Sequence, residues 1–260
     1  MFHRCSFSTA LLGMLFFVIV ILDFSQMNQA DAQMFRMRSA LRNRFCYPAF
    51  NVGGRTEFEL GAKVPLFNGT DLSGWTNAEG NESDNWKAEE NMIVRQKEGG
   101  DLYTANQYEN FILEFEFKIS EKGNSGVKYR SWNPSGFGLG YEYQIFDDIN
   151  IPDNPPKYRT ASLYDVYVPE TDVSLLKMDD FNQAKIVVMG NYIEHWLNGQ
   201  RTCWAFIGSD DWNEKVAQSK FAETKEYGTT PVGRILLQDH GNQVWFRNIS
   251  ITELKAVQTY

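Results

Sequence analysis

Phe111-Ile112-Leu113-Glu114-Phe115-Glu116-Phe117-Lys118 is the stretch that decides the fold. Phe111, Leu113, Phe115 and Phe117 point one way, while Glu114, Glu116 and Lys118 point the other. That period of two describes an antiparallel strand with one face buried. Similar runs recur at Asn91 to Gln96, Ser125 to Arg130, Tyr141 to Phe146, Ala161 to Val168, Gln183 to Met189, Tyr192 to Leu197, Arg234 to Gln238 and Val244 to Leu254. Turn residues separate several of them, at Gly190-Asn191, Asn198-Gly199 and Gly241-Asn242. Many short strands of this kind predict an all-β sandwich or barrel. One segment breaks the pattern: Ser209 to Ala222 predicts a helix, with Ser209 or Asp210 as its cap and Trp212, Val216 and Phe221 at roughly helical spacing. It either covers a sheet edge or walls a ligand cleft, with Lys220 facing inward.

The start of the chain reads as an address. Arg4, an apolar run from Ala10 to Leu22, and Ala30-Asp31-Ala32 supply the charged, hydrophobic and cleavage regions of a signal peptide. The run is short for a bilayer span, which needs about 20 residues. Residues 1–32 are therefore expected to be removed on export to the periplasm or the exterior, with no membrane association afterwards. Residues 33–60, with Arg36, Arg38, Arg42, Arg44 and Gly53-Gly54 but no sustained apolar period, read as a linker or poorly ordered lead-in. A single domain is expected over 61–256, about 200 residues and large enough to bury a core without disulfides. Cys46 and Cys203 are the cysteines left after cleavage, a pair that could bridge in an oxidising compartment.

Composition narrows the ligand. The chain carries 25 basic and 33 acidic residues and is 15% aromatic. Removing Arg4, Asp23 and Asp31 with the leader leaves 24 and 31, a net charge of −7. An acidic chain without basic clusters cannot neutralise phosphate, which argues against nucleic acid and anionic membranes. Neutral ligands suit it better.

Two stretches look built to hold such a ligand. In Gly123-Asn124-Ser125-Gly126-Val127-Lys128-Tyr129-Arg130, running into Tyr141-Glu142-Tyr143-Gln144-Ile145-Phe146, polar groups fall on alternate positions and share one face. A Glu and a Gln two residues apart are costly to bury unpartnered, so Glu142 and Gln144 are expected to line a wet groove. In Leu237-Gln238-Asp239-His240-Gly241, Gln238 pairs by parity with His240, and Trp245 with Arg247 further on. The Gly241-Asn242 turn could join the two sets as a hairpin. Gln, His, Arg and Trp together offer donors, acceptors and a ring on which a pyranose can stack. His195 shares its face with Ile193 and Leu197, so it is either a satisfied core residue or an acid–base catalyst. Metal-ligand spacings of the usual kinds are missing. Asp147-Asp148 with Asp153, or Asp179-Asp180, could instead offer oxygens to a divalent ion such as Ca²⁺.

The ordered set Pro65-Leu66-Phe67-Asn68-Gly69-Thr70-Asp71-Leu72-Ser73-Gly74-Trp75, Gly123-Asn124-Ser125-Gly126, Tyr141-Glu142-Tyr143-Gln144-Ile145, Trp196-Leu197-Asn198-Gly199, Ser219-Lys220-Phe221, Leu237-Gln238-Asp239-His240-Gly241 and Phe246-Arg247-Asn248-Ile249 resembles the 3-keto-disaccharide hydrolase domain over about residues 62 to 254. The resemblance implies a concanavalin-like jelly roll, two stacked antiparallel sheets with a concave ligand face. It also implies activity on glycosides oxidised at the sugar 3-position. In laminarinase-like β-glucanases of related architecture the catalytic strand carries three alternating acids; here it reads Glu142-x-Gln144-x-Phe146, with one. On this reading Glu142 or His195 is the base, His240 the acid, and Arg130, Lys220 or Arg247 lies near the ketone oxygen. Asn124, Gln144, Asn198, Gln238 and Trp245 hold the sugar. Two other classes fit the same face: a noncatalytic secreted carbohydrate-binding module, and a β-glucanase-like hydrolase on unmodified chains.

Overall fold

The computed structural model describes residues 44–46, 56–132, 139–170 and 175–258. It is an all-β sandwich of two antiparallel sheets with one α-helix. The large sheet has nine strands: β1 (Arg44–Cys46), β2 (Thr56–Pro65), β4 (Trp86–Glu89), β5 (Met92–Arg95), β7 (Phe111–Ile119), β10 (Asn182–Met189), β11 (Tyr192–Leu197), β12 (Gln200–Phe206) and β14 (Val244–Gln258). Five strands in the order β3 (Trp75–Thr76), β6 (Leu102–Tyr108), β13 (Gly233–Leu237), β8 (Asn124–Trp132) and β9 (Leu139–Phe146) make the small sheet. Strand β2 reaches back into the stretch read as lead-in, pairing Thr56 with Gln258. The proposed leader and the side chain of Cys46 lie outside the described residues; Cys203 is a free, buried thiol, pushed by burial up to about 12.

Alternation on β7 works as its sequence requires. Phe111, Leu113, Phe115, Phe117 and Ile119 are at most 3% exposed and face the small sheet, each contributing roughly 1.5–3 kcal/mol on burial. From the other side come Tyr129, Tyr141, Tyr143 and Ile145. Phe115 meets Tyr143 edge-on with ring centroids 5.6 Å apart. The outward residues of β7 make ion pairs instead, Glu114 with Lys63 and Glu116 with Arg247.

Two expectations for local structure change. The segment from Ala161 to Val168 is not a strand: Ala161 and Asp165 adopt left-handed backbone, at φ +65° and +63°, so an extended run cannot persist. It still follows the free edge of β9, through Ala161 N–H to the Gln144 carbonyl (2.8 Å) and Tyr164 N–H to the Glu142 carbonyl (3.0 Å). The helix, α1 (Asp210–Ala217), is capped by Ser209, whose hydroxyl accepts the Trp212 N–H at 3.1 Å. It stops before Ser219 because that hydroxyl donates to the Val216 carbonyl and accepts the Phe221 N–H, competing with the helical ladder. The Ser219-Lys220-Phe221 turn that follows reaches the functional face. Trp212 anchors α1 to the sandwich against Tyr141 and Tyr227.

Candidate active site on the small sheet

Inward Tyr141, Tyr143 and Ile145 oblige Glu142 and Gln144 to point away from the large sheet. On that outer face the register assembles rows across the strands. Lys128 stands directly beside Glu142, and Gly126 beside Gln144. Leu236 pairs with Lys128 and with Tyr103, which brings Gln238 level with Gly126; the Gln238 N–H donates to the Gly126 carbonyl at 2.9 Å. Asp101, one residue before β6, comes level with Gln238 and accepts the Asp239 N–H at 2.8 Å.

Glu142 is the centre of this face. It is only 6% exposed although it lies on the sheet's outer side. The Lys128 ammonium approaches its Oε2 at 3.8 Å. Gln144, oriented so that its amide nitrogen faces acceptors, donates to Glu142 Oε1 at 3.2 Å and to the Ser125 carbonyl at 2.9 Å. Burial pushes the Glu142 carboxyl above its ordinary value; Lys128 and Lys220 pull against that. Gly126 makes room for it, since a Cβ there would stand 2.9 Å from Glu142 Oε1.

Lys220 arrives from the turn after α1. Its main-chain N–H donates to Asp165 Oδ2 at 2.6 Å, and Asp165 is ion-paired with Lys157. The ammonium lies 4.1 Å from the centre of the Tyr164 ring. Burial lowers the Lys220 ammonium, Glu142 opposes that, and Lys128 adds to it. On the opposite bank the Gln238 side-chain oxygen is buried without a partner. His240 lies exposed at the rim with Nε2 3.3 Å from the Asn124 amide nitrogen. Asp239 holds this bank in place, accepting N–H groups of Gly99, Gly100 and Gly241, each at 3.1 Å, and the Arg95 guanidinium.

Of the residues singled out in the sequence, Glu142, Gln144, Asn124, Lys220, Gln238 and His240 share this face. Five do not. His195 is wholly buried between the sheets, Nε2 2.8 Å from the Tyr129 hydroxyl and Nδ1 3.2 Å from the Ser162 carbonyl; of its two readings the core one holds. A bulge after Tyr129 puts Arg130 out of phase with Asn124, Gly126 and Lys128, and its guanidinium donates to the Glu109 carbonyl at 3.0 and 2.8 Å. Trp245 and Arg247 belong to β14, so the Gly241-Asn242 turn passes from one sheet to the other rather than closing a hairpin. Both point outward from the large sheet, Trp245 beneath Lys118 and Arg247 against Glu116 at 2.7 Å. Asn198 organises the β11–β12 turn, its amide donating to the Asn182 side chain at 2.9 Å and its oxygen accepting the Gln183 N–H at 2.8 Å.

Lys128, Asp101 and Tyr164 were missed. The parity of Asn124 and Gly126 extends to Lys128, so that signal was present; Asp101 and Tyr164 reach the face through irregular backbone, which leaves no period to follow. Among the described residues no three His, Cys, Asp or Glu side chains converge as a metal site. The Asp147 carboxylate proposed for Ca²⁺ accepts N–H groups from Lys122 and Asn150 instead, and Asp148 accepts that of Thr160.

Residues 62–252 match the model of the 3-keto-alpha-glucoside-1,2-lyase-like domain. The chain belongs to this family. The match spans every strand that contributes to the Glu142 face. Among similar proteins is the 3-keto-disaccharide hydrolase of Bacteroides thetaiotaomicron, 28% identical over 227 residues, covering 74% of this chain and 78% of the relative. A crystal structure from Parabacteroides distasonis, named a "putative glycosyl hydrolase", superposes with a TM-score of 0.68 at 30% identity over 75% of this chain and 95% of that one. A second of the same name and organism gives 0.58 at 26% identity over 73% and 98%.

Proposed function

We propose that the chain is an exported enzyme that cleaves 3-keto-glycosides by elimination and rehydration, or net hydrolysis. The observation that carries this reading is Glu142, one buried carboxyl on the outer face of the small sheet, beside the Lys128 ammonium and within the field of Lys220. Ordinary glycoside hydrolysis normally needs two carboxyl groups flanking the scissile bond, and the β9 row supplies one. A ketone at C3 changes the requirement, because it acidifies the proton on C2. One base can then remove that proton while the C1 substituent departs. Glu142 is suited to this, its carboxyl raised toward the range of an effective general base. Lys220 and Lys128 are the cations this reading assigns to the charge that develops on the ketone oxygen. Gln144, Asn124 and Gln238 offer amides to sugar hydroxyls. The departing oxygen takes a proton from the Gln238–His240 bank, where sequence reading assigns the role to His240. The names of the relatives support glycoside cleavage, and Arg4, Ala10 to Leu22 and Ala30-Asp31-Ala32 support export.

The test is aglycone release by the purified protein from a 3-keto-glucoside and from its unoxidised parent, each with added divalent metal and with chelator. Release from the keto compound alone is the expected result. Release from both would favour a β-glucanase-like hydrolase. Binding of a glycan without release from either would leave a carbohydrate-binding module.

A further inference from the structure

The β9 row holds a single acid, but the folded face holds two. Asp101, one residue before β6, and Glu142, on β9, stand on the outer face of the small sheet, with β13 and β8 between their strands. Three strand spacings of roughly 4.8 Å separate the β6 and β9 backbones. Asp101 Oδ1 is held by the Asp239 N–H, while Oδ2 makes no hydrogen bond among the described residues. Level with it on the neighbouring strand stands Gln238, whose side-chain oxygen is buried without a partner. His240, by contrast, is exposed at the rim.

We infer that Asp101 is the second catalytic carboxyl, the group that protonates the departing C1 oxygen. This rests on the 3-keto-glycoside reading above. Glu142 removes the C2 proton, the freed electron pair forms the C1–C2 double bond, and the C1–O bond breaks. The departing oxygen takes the proton of Asp101. Water then adds in the reverse sense: Asp101 takes a proton from the water as its oxygen bonds to C1, and Glu142 returns its proton to C2. One water is consumed, nothing is oxidised or reduced, and both carboxyls end as they began. Burial pushes the Asp101 carboxyl upward, the Asp239 carboxylate adds to that, and the Asp239 N–H, Lys128 and His240 oppose it. The Asp101 charge also disfavours ionisation of Glu142. Two interacting acids of this kind favour one protonated and one ionised partner.

The experiment compares Asp101→Asn, Glu142→Gln and His240→Ala on two 3-keto substrates, a disaccharide and a 4-nitrophenyl glucoside whose phenolate leaves without a proton. Asp101→Asn retains an acceptor for the Asp239 N–H. It is expected to lose about 10²–10⁴-fold in kcat/KM on the disaccharide and far less on the nitrophenyl compound. Glu142→Gln should lose heavily on both. The unaltered protein should show a basic limb in its pH–rate profile on the disaccharide that is absent on the nitrophenyl substrate, a readout independent of whether a variant folds. Equal losses for Asp101→Asn on both substrates, or the leaving-group-selective loss falling on His240→Ala, would overturn the assignment to Asp101 while leaving the reaction standing. Inactivity of the unaltered protein on both substrates would instead remove the reaction itself, and Asp101's role with it.

Discussion

His195 shows what burial does to a residue that sequence leaves ambiguous. Wedged between Tyr129 and Tyr143, the imidazole has no water to stabilise a charge, and burial lowers it to about 3. The unfolded chain therefore takes up a proton near pH 6.5 and the folded one only near 3. Between those values the unfolded state binds more protons, so the contribution is complete above pH 6.5 and is lost as pH falls toward 3. Urea unfolding at pH 7 and at pH 4.5 should show a decline that is smaller in His195→Gln than in the unaltered protein. Turnover per folded molecule at pH 7 should be unchanged in that variant; abolished turnover with an intact fold would return His195 to the site. The residue's own neighbours, Ile193 and Leu197, already pointed to the core, but only its contacts with Tyr129 and Ser162 resolve the choice.

At the scale of elements, the β8–β9 pair positions the base. Lys128 and Glu142 are direct cross-strand neighbours, and Gly126 beside them leaves the space into which the Glu142 carboxylate leans. A methyl group at Gly126 would stand 2.9 Å from Glu142 Oε1 and 3.2 Å from the Tyr143 carbonyl oxygen, so the carboxylate must move. Gly126→Ala is expected to lower kcat by about 10²-fold, the cost of a roughly 1 Å displacement of a reacting group, with a much smaller effect on thermal stability. Full activity in this variant would show that the leaning position of Glu142 is not the working one. The turn after α1 plays a similar part for Lys220. Its sequence reads as more helix, yet Ser219 turns its hydroxyl onto the preceding backbone and Asp165 captures the Lys220 N–H, a partner 55 residues away in the chain.

Across the whole molecule, the Arg95–Asp239 ion pair ties β5 of the large sheet to the loop that carries Gln238 and His240. Both side chains are under a tenth exposed. Asp239 stays below its ordinary value although burial pushes the other way, because the Gly241 N–H, Arg95 and the Gly100 N–H together outweigh it. Asp239→Ala leaves the guanidinium buried without its counter-charge and is expected to cost about 3–5 kcal/mol, read as a lower urea midpoint together with lost activity. A midpoint unchanged within error would show that the pair does not brace the sheets. The sequence by itself determined the all-β class, most strand positions, a helix start capped by Ser209 or Asp210, the inward face of β7 and the outward placement of Glu142 with Gln144. Each follows from local sterics, since alternate side chains of an extended strand must take opposite faces. Tertiary structure alone decided that β13 and β14 lie in different sheets, which removes Trp245 and Arg247 from the groove, and that Asp101 joins the face and a turn, not a helix, presents Lys220. Those outcomes depend on hydrogen bonds between residues far apart in the chain, such as Asp101 with Asp239 and Asp165 with Lys220, and periodicity carries no information about which strands become neighbours.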